Sequence, residues 1–299
     1  MAANYTIERT TEGVLIARNN IPKRPFIVVE GLCAADPIDV GRPRDIQGYN
    51  NHVLAPCIAS GEIADGTKGP FDDRKMRFHA ASITPSGLEI ALGHSHYAEY
   101  MAQLDLKKEK IEELKDRGIN EFGEEFAFFA RAPGVVSVVR TSDGALIIGE
   151  REIRGQTDVY SGQLMGLAGH LAYRGNPILV NIEDDARREA NEEAGIKLDE
   201  MKGLTFMGLF SNSLIGGADL DFGYLLETTL PSKYFTSGDW RGRVKKPEHR
   251  EFVAVRNYDD LRQLLETGTL PGTDGAKKVI YNTSGVLAQI SPEDMKEQD

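Results

Sequence analysis

Alternating and continuous hydrophobic runs predict a chain of mostly short strands with a few amphipathic helices. In the first half, strands are predicted at 22–30, 76–83 and 88–92. Helices are predicted there at 94–104 and at 107–117, the second ended by Gly118. In the second half, strands are predicted at 135–140, 145–150, 163–167, 205–210, 220–227 and 251–255. Helices are predicted at 182–194 and 258–267, and the polar residues 290–299 are expected to fray.

The two halves of the chain differ in pattern. The first contains a long irregular stretch rich in Gly, Asp and Pro, whereas the second carries regularly spaced strands. Residues 141–144, Thr-Ser-Asp-Gly, are a typical hairpin turn between two strands. We therefore expect a boundary near 120–133, with an N-terminal part at 1–125 and a second domain at 133–290. A length of 299 residues suits two domains.

Composition narrows the class of protein. The chain has 35 Lys and Arg against 46 Asp and Glu, a net charge of −11, which argues against a general nucleic-acid binder. No apolar run approaches the ~20 residues that span a bilayer. The N-terminus lacks a secretory pattern, so a cytoplasmic protein is expected. Cys33 and Cys57 fit ordinary core positions better than a disulfide or a zinc site.

Residues 188–196, Arg-Glu-Ala-Asn-Glu-Glu-Ala-Gly-Ile, carry the clearest chemical signal. Helical spacing predicts that Glu189, Glu192 and Glu193 gather their carboxylates on one side, where like charges repel each other. A hard divalent cation would explain such clustering, because Mg²⁺ takes oxygen ligands. Arg188 can reach back to Asp184 or orient Glu189. A solvated acidic face is the alternative interpretation of the glutamates alone.

This stretch resembles the second half of the Nudix box, RE-U-x-EE-x-G-U, in which U is an aliphatic residue. The hairpin at 135–151 and the glycines from Gly162 to Gly169 are similar in order to the elements before that box. The likeness covers about 133–290. It departs from the family at two positions. Val180 stands where the first glutamate of the box is expected. Arg174 stands where the glycine of the box is expected, although the adjacent residue is Gly175. Asp184 is a candidate to replace the supporting role of that glutamate.

The resemblance implies an α/β/α sandwich around a mixed sheet at 133–290, preceded by an N-terminal α+β extension. It also implies a hydrolase that needs Mg²⁺ or Mn²⁺ and cleaves a phosphoanhydride in a nucleoside-diphosphate-linked metabolite. Members often form dimers, so a homodimer is expected. Two alternatives stay open: a Nudix-like module that binds a nucleotide or metabolite without turnover, and a Nudix-fold isomerase. Fold alone does not decide among them.

The resemblance also implies roles for individual residues. The implied metal ligands are Glu189, Glu192, Glu193 and a backbone carbonyl at Gly169. Arg188 would orient Glu189, and Glu248 rather than Glu251 would be a further ligand or general base.

Binding of the substrate is assigned to His170 and to Arg241, Arg243 and Lys246 in a basic loop that also carries His249. His94 and His96 would share a face on a strand and diverge on a helix. A metal site at that pair is the weaker interpretation, because no third ligand is nearby in the sequence.

Overall fold

The computed structural model describes most of the second half of the chain and several segments of the first. The described residues are 8–9, 13–15, 26–28, 74–84, 87–96, 100, 108–123, 125–152, 160–171, 182–212, 220–270 and 275–296. Cys33, Cys57, Arg174, Gly175 and Val180 lie outside them, so the expectations for both cysteines and for the first half of the box are not addressed by the structure.

The strands are numbered in chain order. They are β1 (Glu8–Arg9), β2 (Gly13–Leu15), β3 (Phe26–Val28), β4 (Arg74–Thr84), β5 (Gly87–His96), β6 (Gly134–Arg140), β7 (Leu146–Arg151), β8 (Leu164–Met165), β9 (Leu167–His170), β10 (Met201–Asn212), β11 (Leu220–Thr228) and β12 (His249–Val255). The helices are α1 (Lys108–Phe122), α2 (Ile182–Ala194), α3 (Ser232–Thr236), α4 (Tyr258–Thr267) and α5 (Tyr281–Leu287).

The main sheet is mixed. Its order is β1-β2-β10-β11-β6-β7-β12, with β8 paired to β7 and β9 paired to β6. Strands β6 and β11 run parallel, with Val136 opposite Gly223, and the other pairs are antiparallel. A second sheet has the order β3-β5-β4.

Helices cover both faces of the main sheet. Val136 and Val138 of β6 pack in a core with α4 and α5, whereas Val139 packs in a separate core with α2 and α3. This alternation follows from the period of two along a strand. Because both faces are covered, β6 is a continuous apolar run from Val135 to Val139 broken only by Ser137. The predicted α/β/α sandwich with a mixed sheet is confirmed.

Backbone hydrogen bonds join the N-terminal strands to the rest of the molecule. Met76 N–H donates to the carbonyl of Leu171 (3.2 Å), and Phe78 N–H donates to the carbonyl of Arg131 (2.9 Å). Strand β2 pairs with β10 and extends the main sheet. The division of the chain into 1–125 and 133–290 stays a prediction.

Two predicted helices of the first half differ from the structure. The prediction of a helix at 94–104 is wrong at its start, because β5 continues to His96 with β4 as its antiparallel partner. Sheet pairing outweighs local helical spacing there. Helix α1 does not end at Gly118. That glycine is buried within the helix, which ends at Phe122 before Gly123, whose φ of 71° supplies the left-handed end.

The remaining differences concern short elements. Pattern analysis missed α3 and α5, which have five and seven residues. The tail was expected to fray, but Pro292–Met295 forms a 3-10 turn in which Ser291 and Asp294 cap each other. Within the described ranges, no helix is long and apolar enough to cross a membrane.

Candidate active site

Helix α2 presents two of its glutamates to the sheet because small residues allow it to approach closely. Ala186, Ala190 and Ala194 are fully buried at a spacing of four, so one face of the helix lies against β6 and β9. Glu189 and Glu193 each precede one of these alanines and are drawn into the same interface. Gly195, with φ of 65°, ends the helix directly after them.

The carboxylate of Glu189 lies over the backbone of Gly169 in β9. A Cβ atom at Gly169 would stand only 2.0 Å from Oε1 of Glu189, so that position has no room for a side chain. Arg188 contacts the same oxygen at 2.7 Å and reaches Asp185 at 3.3 Å. Burial, together with the charge of Glu193, raises the pKa of Glu189 to about 8.

Glu193 is held from two sides. Its Oε2 accepts a hydrogen bond from the N–H of Ala168 (3.0 Å) and lies 3.2 Å from Nε2 of His249. Glu193 is 3% exposed. Burial and the charge of Glu248 raise the pKa of Glu193 well above its ordinary value. Glu193 is therefore a carboxyl group whose ionisation the surrounding protein opposes.

Glu248 brings a third carboxyl group to the same place from a different element. It directly precedes β12, and its carbonyl accepts the N–H of Glu152 (2.9 Å). Its side chain forms a hydrogen bond with Glu193 and lies 3.3 Å from Arg151. At 38% exposure it is far more accessible to water than Glu193. Of the predicted glutamates, the structure thus brings together Glu189, Glu193 and Glu248.

Glu192 lies apart from this group. Its side chain is 56% exposed and pairs with Nη1 of Arg188 at 2.9 Å. Position 192 is rotated about 60° from 189, on the side away from 193, and in the structure its carboxylate lies in solvent, so the predicted gathering of all three carboxylates does not extend to Glu192. Its role as a metal ligand stays a prediction. Asp184 pairs with Arg187 at 3.4 Å, and it is Asp185, not Asp184, that Arg188 contacts.

His249 is a site residue that pattern analysis missed, since it was placed in an exposed basic loop. The imidazole is 1% exposed and lies over Gly149 of β7, where a Cβ would be 2.1 Å from its Nδ1. No alternating pattern signals its burial, because an irregularity in the pairing with β7 between His249 and Glu251 is what allows His249 and Phe252 to be buried with their rings 4.9 Å apart.

His170 directly follows Gly169, at the end of β9. Its ring makes an edge contact with Tyr100, with 4.3 Å between the ring centres. Burial and the positive charges of Lys75 and Arg151 lower the pKa of His170 to about 3. His170 is therefore a neutral imidazole at neutral pH, directly after the glycine over which Glu189 lies.

The basic loop has other contacts. Arg241 stacks on Trp240 and donates to the carbonyl of Arg250. Arg243 pairs with Glu200 at 2.7 Å and donates to the carbonyl of Gly195 (3.3 Å), so it completes the end of α2.

Lys246 in the same loop is exposed. The structure does not bring Arg241 or Arg243 to the glutamates. A substrate-binding role for the three basic residues stays a prediction.

The donor set at the glutamates consists of oxygen atoms, which suits Mg²⁺ or Mn²⁺. Carboxylates placed close together repel each other, and a cation between them would relieve that repulsion. Among the described residues, however, no group of three or more acidic, histidine or cysteine side chains is placed so that it could hold a metal ion. Glu189 is turned to Arg188 and Glu193 to His249. By their chemistry, the carboxylate oxygens suit a divalent metal ion.

No protein-family model matches the chain, and no curated protein matches it significantly. Among solved structures, it is similar to the Nudix hydrolase RenU of M. smegmatis, with 15% identity, 53% of this chain and 83% of that one covered, and a TM-score of 0.32. It is similar to the Nudix domain of Shewanella oneidensis NrtR complexed with ADP ribose (10%, 62% and 96%, 0.34) and to a Nudix hydrolase of Nitrosomonas europaea (20%, 44% and 75%, 0.28). At these TM-scores the likeness carries no functional argument, which must come from the side chains.

Proposed function

We propose that this chain is a divalent-metal-dependent hydrolase of a phosphoanhydride in a nucleoside-diphosphate-linked metabolite. One observation carries the proposal: Glu189 and Glu193 are buried beside β9 although burial and neighbouring carboxylates raise both their pKa values, and Glu248 is hydrogen-bonded to Glu193. A protein has little structural reason to bury like charges together, whereas a site for a cation and a diphosphate has one. The order of the elements around them supports the same class.

Each group has a role that its position allows. Glu189 and Glu193 would hold the metal, which when bound neutralises the diphosphate and activates a water. Arg188 orients Glu189 from 2.7 Å. Ala168 N–H and His249 fix the direction in which Glu193 points. Backbone oxygen at Gly169 is the further donor that the resemblance implies.

Glu248 is proposed as the general base. It is the most accessible of the three carboxylates and lies at the mouth of the group. Its carboxylate would take a proton from water as the water oxygen bonds to phosphorus and the bridging phosphorus–oxygen bond breaks. The two products are phosphate esters, and no redox partner is required.

The first experiment is a panel assay. Formation of the hydrolysis products would be measured by chromatography on ADP-ribose, NADH, nucleotide sugars, dinucleoside polyphosphates and deoxynucleoside triphosphates, with and without Mg²⁺ or Mn²⁺. Hydrolysis that needs the metal and disappears in Glu193→Gln would support the proposal. Glu266→Gln is the matched control, because Glu266 is an exposed helical glutamate on α4, 65% accessible and remote from the site.

Glu192→Gln separates the two interpretations of the box. If the buried pair alone holds the metal, this variant keeps most of the activity that Glu193→Gln loses. If all three glutamates are ligands, both variants lose it. No turnover on any substrate, with nucleotide binding still detected by thermal shift, would contradict the enzyme and favour the binding module.

A further inference from the structure

The end of helix α2 is held by side chains from outside the helix. The last carbonyls of a helix have no partner within it and must find one elsewhere. In α2 the Tyr234 hydroxyl donates to the carbonyl of Ala194 (3.0 Å), and Nη1 of Arg243 donates to the carbonyl of Gly195 (3.3 Å). Ala194 and Gly195 directly follow Glu193 in the chain. The contacts that fasten the helix therefore lie next to a carboxylate of the candidate site.

The two side chains that fasten α2 also contact each other. The Arg243 guanidinium lies 4.9 Å from the centre of the Tyr234 ring, which is a cation–π distance. Both side chains approach Gly195 so closely that a Cβ there would stand 2.6 Å from Cβ of Arg243 and 3.1 Å from the Tyr234 oxygen. A cation at the C-terminus of a helix also interacts favourably with the helix dipole. The end of α2 is thus in direct contact with a hydroxyl and a guanidinium that support one another.

Tyr234 and Arg243 are themselves held by other parts of the fold. Tyr234 lies on α3, whose first residue, Ser232, donates through its N–H (2.9 Å) and its hydroxyl (2.6 Å) to Asp143 in the hairpin turn. Arg243 pairs at 2.7 Å with Glu200, in the 3-10 turn between α2 and β10. Both side chains therefore stand on hydrogen-bonded supports and not in a loose loop.

The position of Glu193 depends on where α2 lies against the sheet. Its Oε2 accepts the N–H of Ala168 (3.0 Å) and lies 3.2 Å from Nε2 of His249, and these two partners belong to β9 and β12. A shift of the helix along the sheet or away from it would break both contacts together. Fixing the backbone directly after Glu193 opposes such a shift.

We propose that Tyr234 and Arg243 are positioning residues for Glu193, because they hold the end of α2 where its carboxylate meets Ala168 and His249. This inference rests on the proposed function and deepens it, since it assigns the geometry of that site to side chains that act through the helix backbone. It also gives Arg243 a role other than the substrate binding that the sequence predicted. A small displacement of a positioned group lowers turnover steeply.

The first test measures hydrogen exchange at two backbone amides of the full-length, metal-free chain by NMR. Ala168 N–H reports on the contact with Glu193. Gly166 N–H, which donates to Thr283 of α5 (2.8 Å), reports on the same segment from the other face of the sheet. Tyr234→Phe removes only the hydroxyl. It should speed exchange at Ala168 by about fivefold, the effect of losing one hydrogen bond, and leave exchange at Gly166 within about twofold of the wild type.

The charge at the helix end is tested with two variants and two controls. Arg243→Gln should act in the same direction, whereas Arg243→Lys, which keeps a charged donor, should lie closer to the wild type. Tyr258→Phe is the matched control for the hydroxyl, since Tyr258 packs on the core at the opposite face of the sheet. Arg262→Gln is the control for the charge, because Arg262 is exposed on α4 and pairs with Glu266 (3.5 Å). Both controls should exchange at Ala168 like the wild type.

The second test measures turnover on the substrate that the panel assay identifies. Tyr234→Phe should lower kcat by about tenfold and leave KM within about threefold of the wild type, because the substrate would still bind while the carboxylate is displaced. A hydroxyl that only stabilises the fold would leave both constants of the folded protein unchanged. Thermal unfolding of each variant establishes that it is folded.

The outcomes distinguish this inference from the proposed function. Equal acceleration of exchange at Ala168 and Gly166 in Tyr234→Phe would show a general loss of stability and would overturn the positioning role. Wild-type exchange at Ala168 in both Tyr234→Phe and Arg243→Gln overturns it as well, and so does an unchanged kcat in an active enzyme. Selective acceleration at Ala168, with no turnover by the wild type on any substrate, overturns the hydrolase and leaves the positioning of Glu193 standing.

Discussion

Two groups of carboxylates in this chain are surrounded in opposite ways. Beside α5, Asp221 accepts hydrogen bonds from Tyr281, from Asn282 (3.0 Å) and from the backbone of Gly134. Beside α2, Glu189 has Glu193 as a neighbouring carboxylate, and Glu193 has Glu248. Burial raises the pKa of Asp221 as well, but every close partner offsets that effect, whereas like charges add to it at α2.

The contrast separates a carboxylate that serves the fold from carboxylates that serve a ligand. Glu150 in β7 follows the first pattern, because Lys277 and Arg250 (2.9 Å) neutralise it and tie the segment before α5 to the sheet. In the α2 group Arg188, Arg151 and the Ala168 N–H stabilise the charged carboxylates, but burial and neighbouring carboxylates outweigh them and raise the pKa values of Glu189 and Glu193. Removing Asp221 should therefore lower stability and leave activity nearly unchanged. Removing Glu193 should lower activity and leave stability unchanged or higher.

The largest expected effect is on activity at Glu193. Glu193→Gln should lower metal-dependent turnover by about 10²–10⁴-fold while leaving the free energy of unfolding unchanged or higher. Initial rates at saturating Mg²⁺ and urea unfolding would measure both. A variant that unfolds easily would contradict the comparison, because Glu193 would then be serving the fold.

The converse change is Asp221→Ala. It removes the carboxylate that accepts hydrogen bonds from the Tyr281 hydroxyl, the Asn282 amide and the Gly134 N–H, and these donors lose their shared acceptor. We expect a loss of about 2–4 kcal/mol in the free energy of unfolding. Turnover per folded molecule should stay within a few-fold of the wild type. A large loss of turnover in protein shown to be folded would place Asp221 in the site and break the distinction.

A pH dependence sharpens the comparison. In metal-free protein the folded state holds the Glu189 proton up to about pH 8, whereas the ordinary value is 4.5, so stability should fall as the pH rises between these values. Glu189→Gln removes that fall. It should stabilise the metal-free protein by on the order of 1–3 kcal/mol at pH 8 and by nothing below pH ~4.

Thermal unfolding in EDTA across the pH range would measure this difference. Addition of Mg²⁺ should stabilise the wild type more than the variant, because only the wild type gains a ligand carboxylate. A constant difference between the two proteins at all pH values would show that the proton on Glu189 is not responsible.

The smallest expected effects come from two glycines. A Cβ at Gly134 would stand 2.0 Å from a carboxylate oxygen of Asp221. A Cβ at Gly169 would stand 2.0 Å from a carboxylate oxygen of Glu189. Asp221 is short and held by three donors, so Gly134→Ala should destabilise by about 1–3 kcal/mol. Glu189 is longer and can move, so Gly169→Ala should change stability by under ~1 kcal/mol while lowering turnover by roughly tenfold. If Gly134→Ala and Gly169→Ala lowered stability equally, the distinction between a carboxylate that serves the fold and one that serves a ligand would be contradicted.

The sequence pattern predicted those elements whose start, end and buried face are marked by residues within the element or next to it. The bounds of α2 and α4 were predicted correctly, because an apolar stripe and a terminal glycine mark each, and Asn257 caps α4 through Asp260 N–H (2.8 Å). The helix α5 was missed for a tertiary reason. Gly285 weakens its local signal but is required, since a Cβ there would be 2.3 Å from the Phe210 ring.

The site was predictable only along one element. Helical spacing predicted that Glu189 and Glu193 share a side of α2, and the resemblance to the Nudix family led to Glu248 in the loop before β12. The burial of His249 depends on its pairing with β7, and the attachment of β4 beside Leu171 depends on hydrogen bonds between residues far apart in the chain. Such contacts have no local pattern. The partner of Arg243 was not predictable either, because Glu200 lies in a 3-10 turn more than 40 residues earlier in the chain.

The single tryptophan supplies an optical reporter for one half of the molecule. Trp240 is fully buried in the core beside α2, with its ring 4.8 Å from Phe252 in the strand that carries His249. Its emission should therefore be blue-shifted in the native protein and shift to the red when that core opens. Circular dichroism follows the whole chain. A fluorescence transition that precedes the dichroism transition would reveal that the face bearing the glutamates melts as its own cooperative unit.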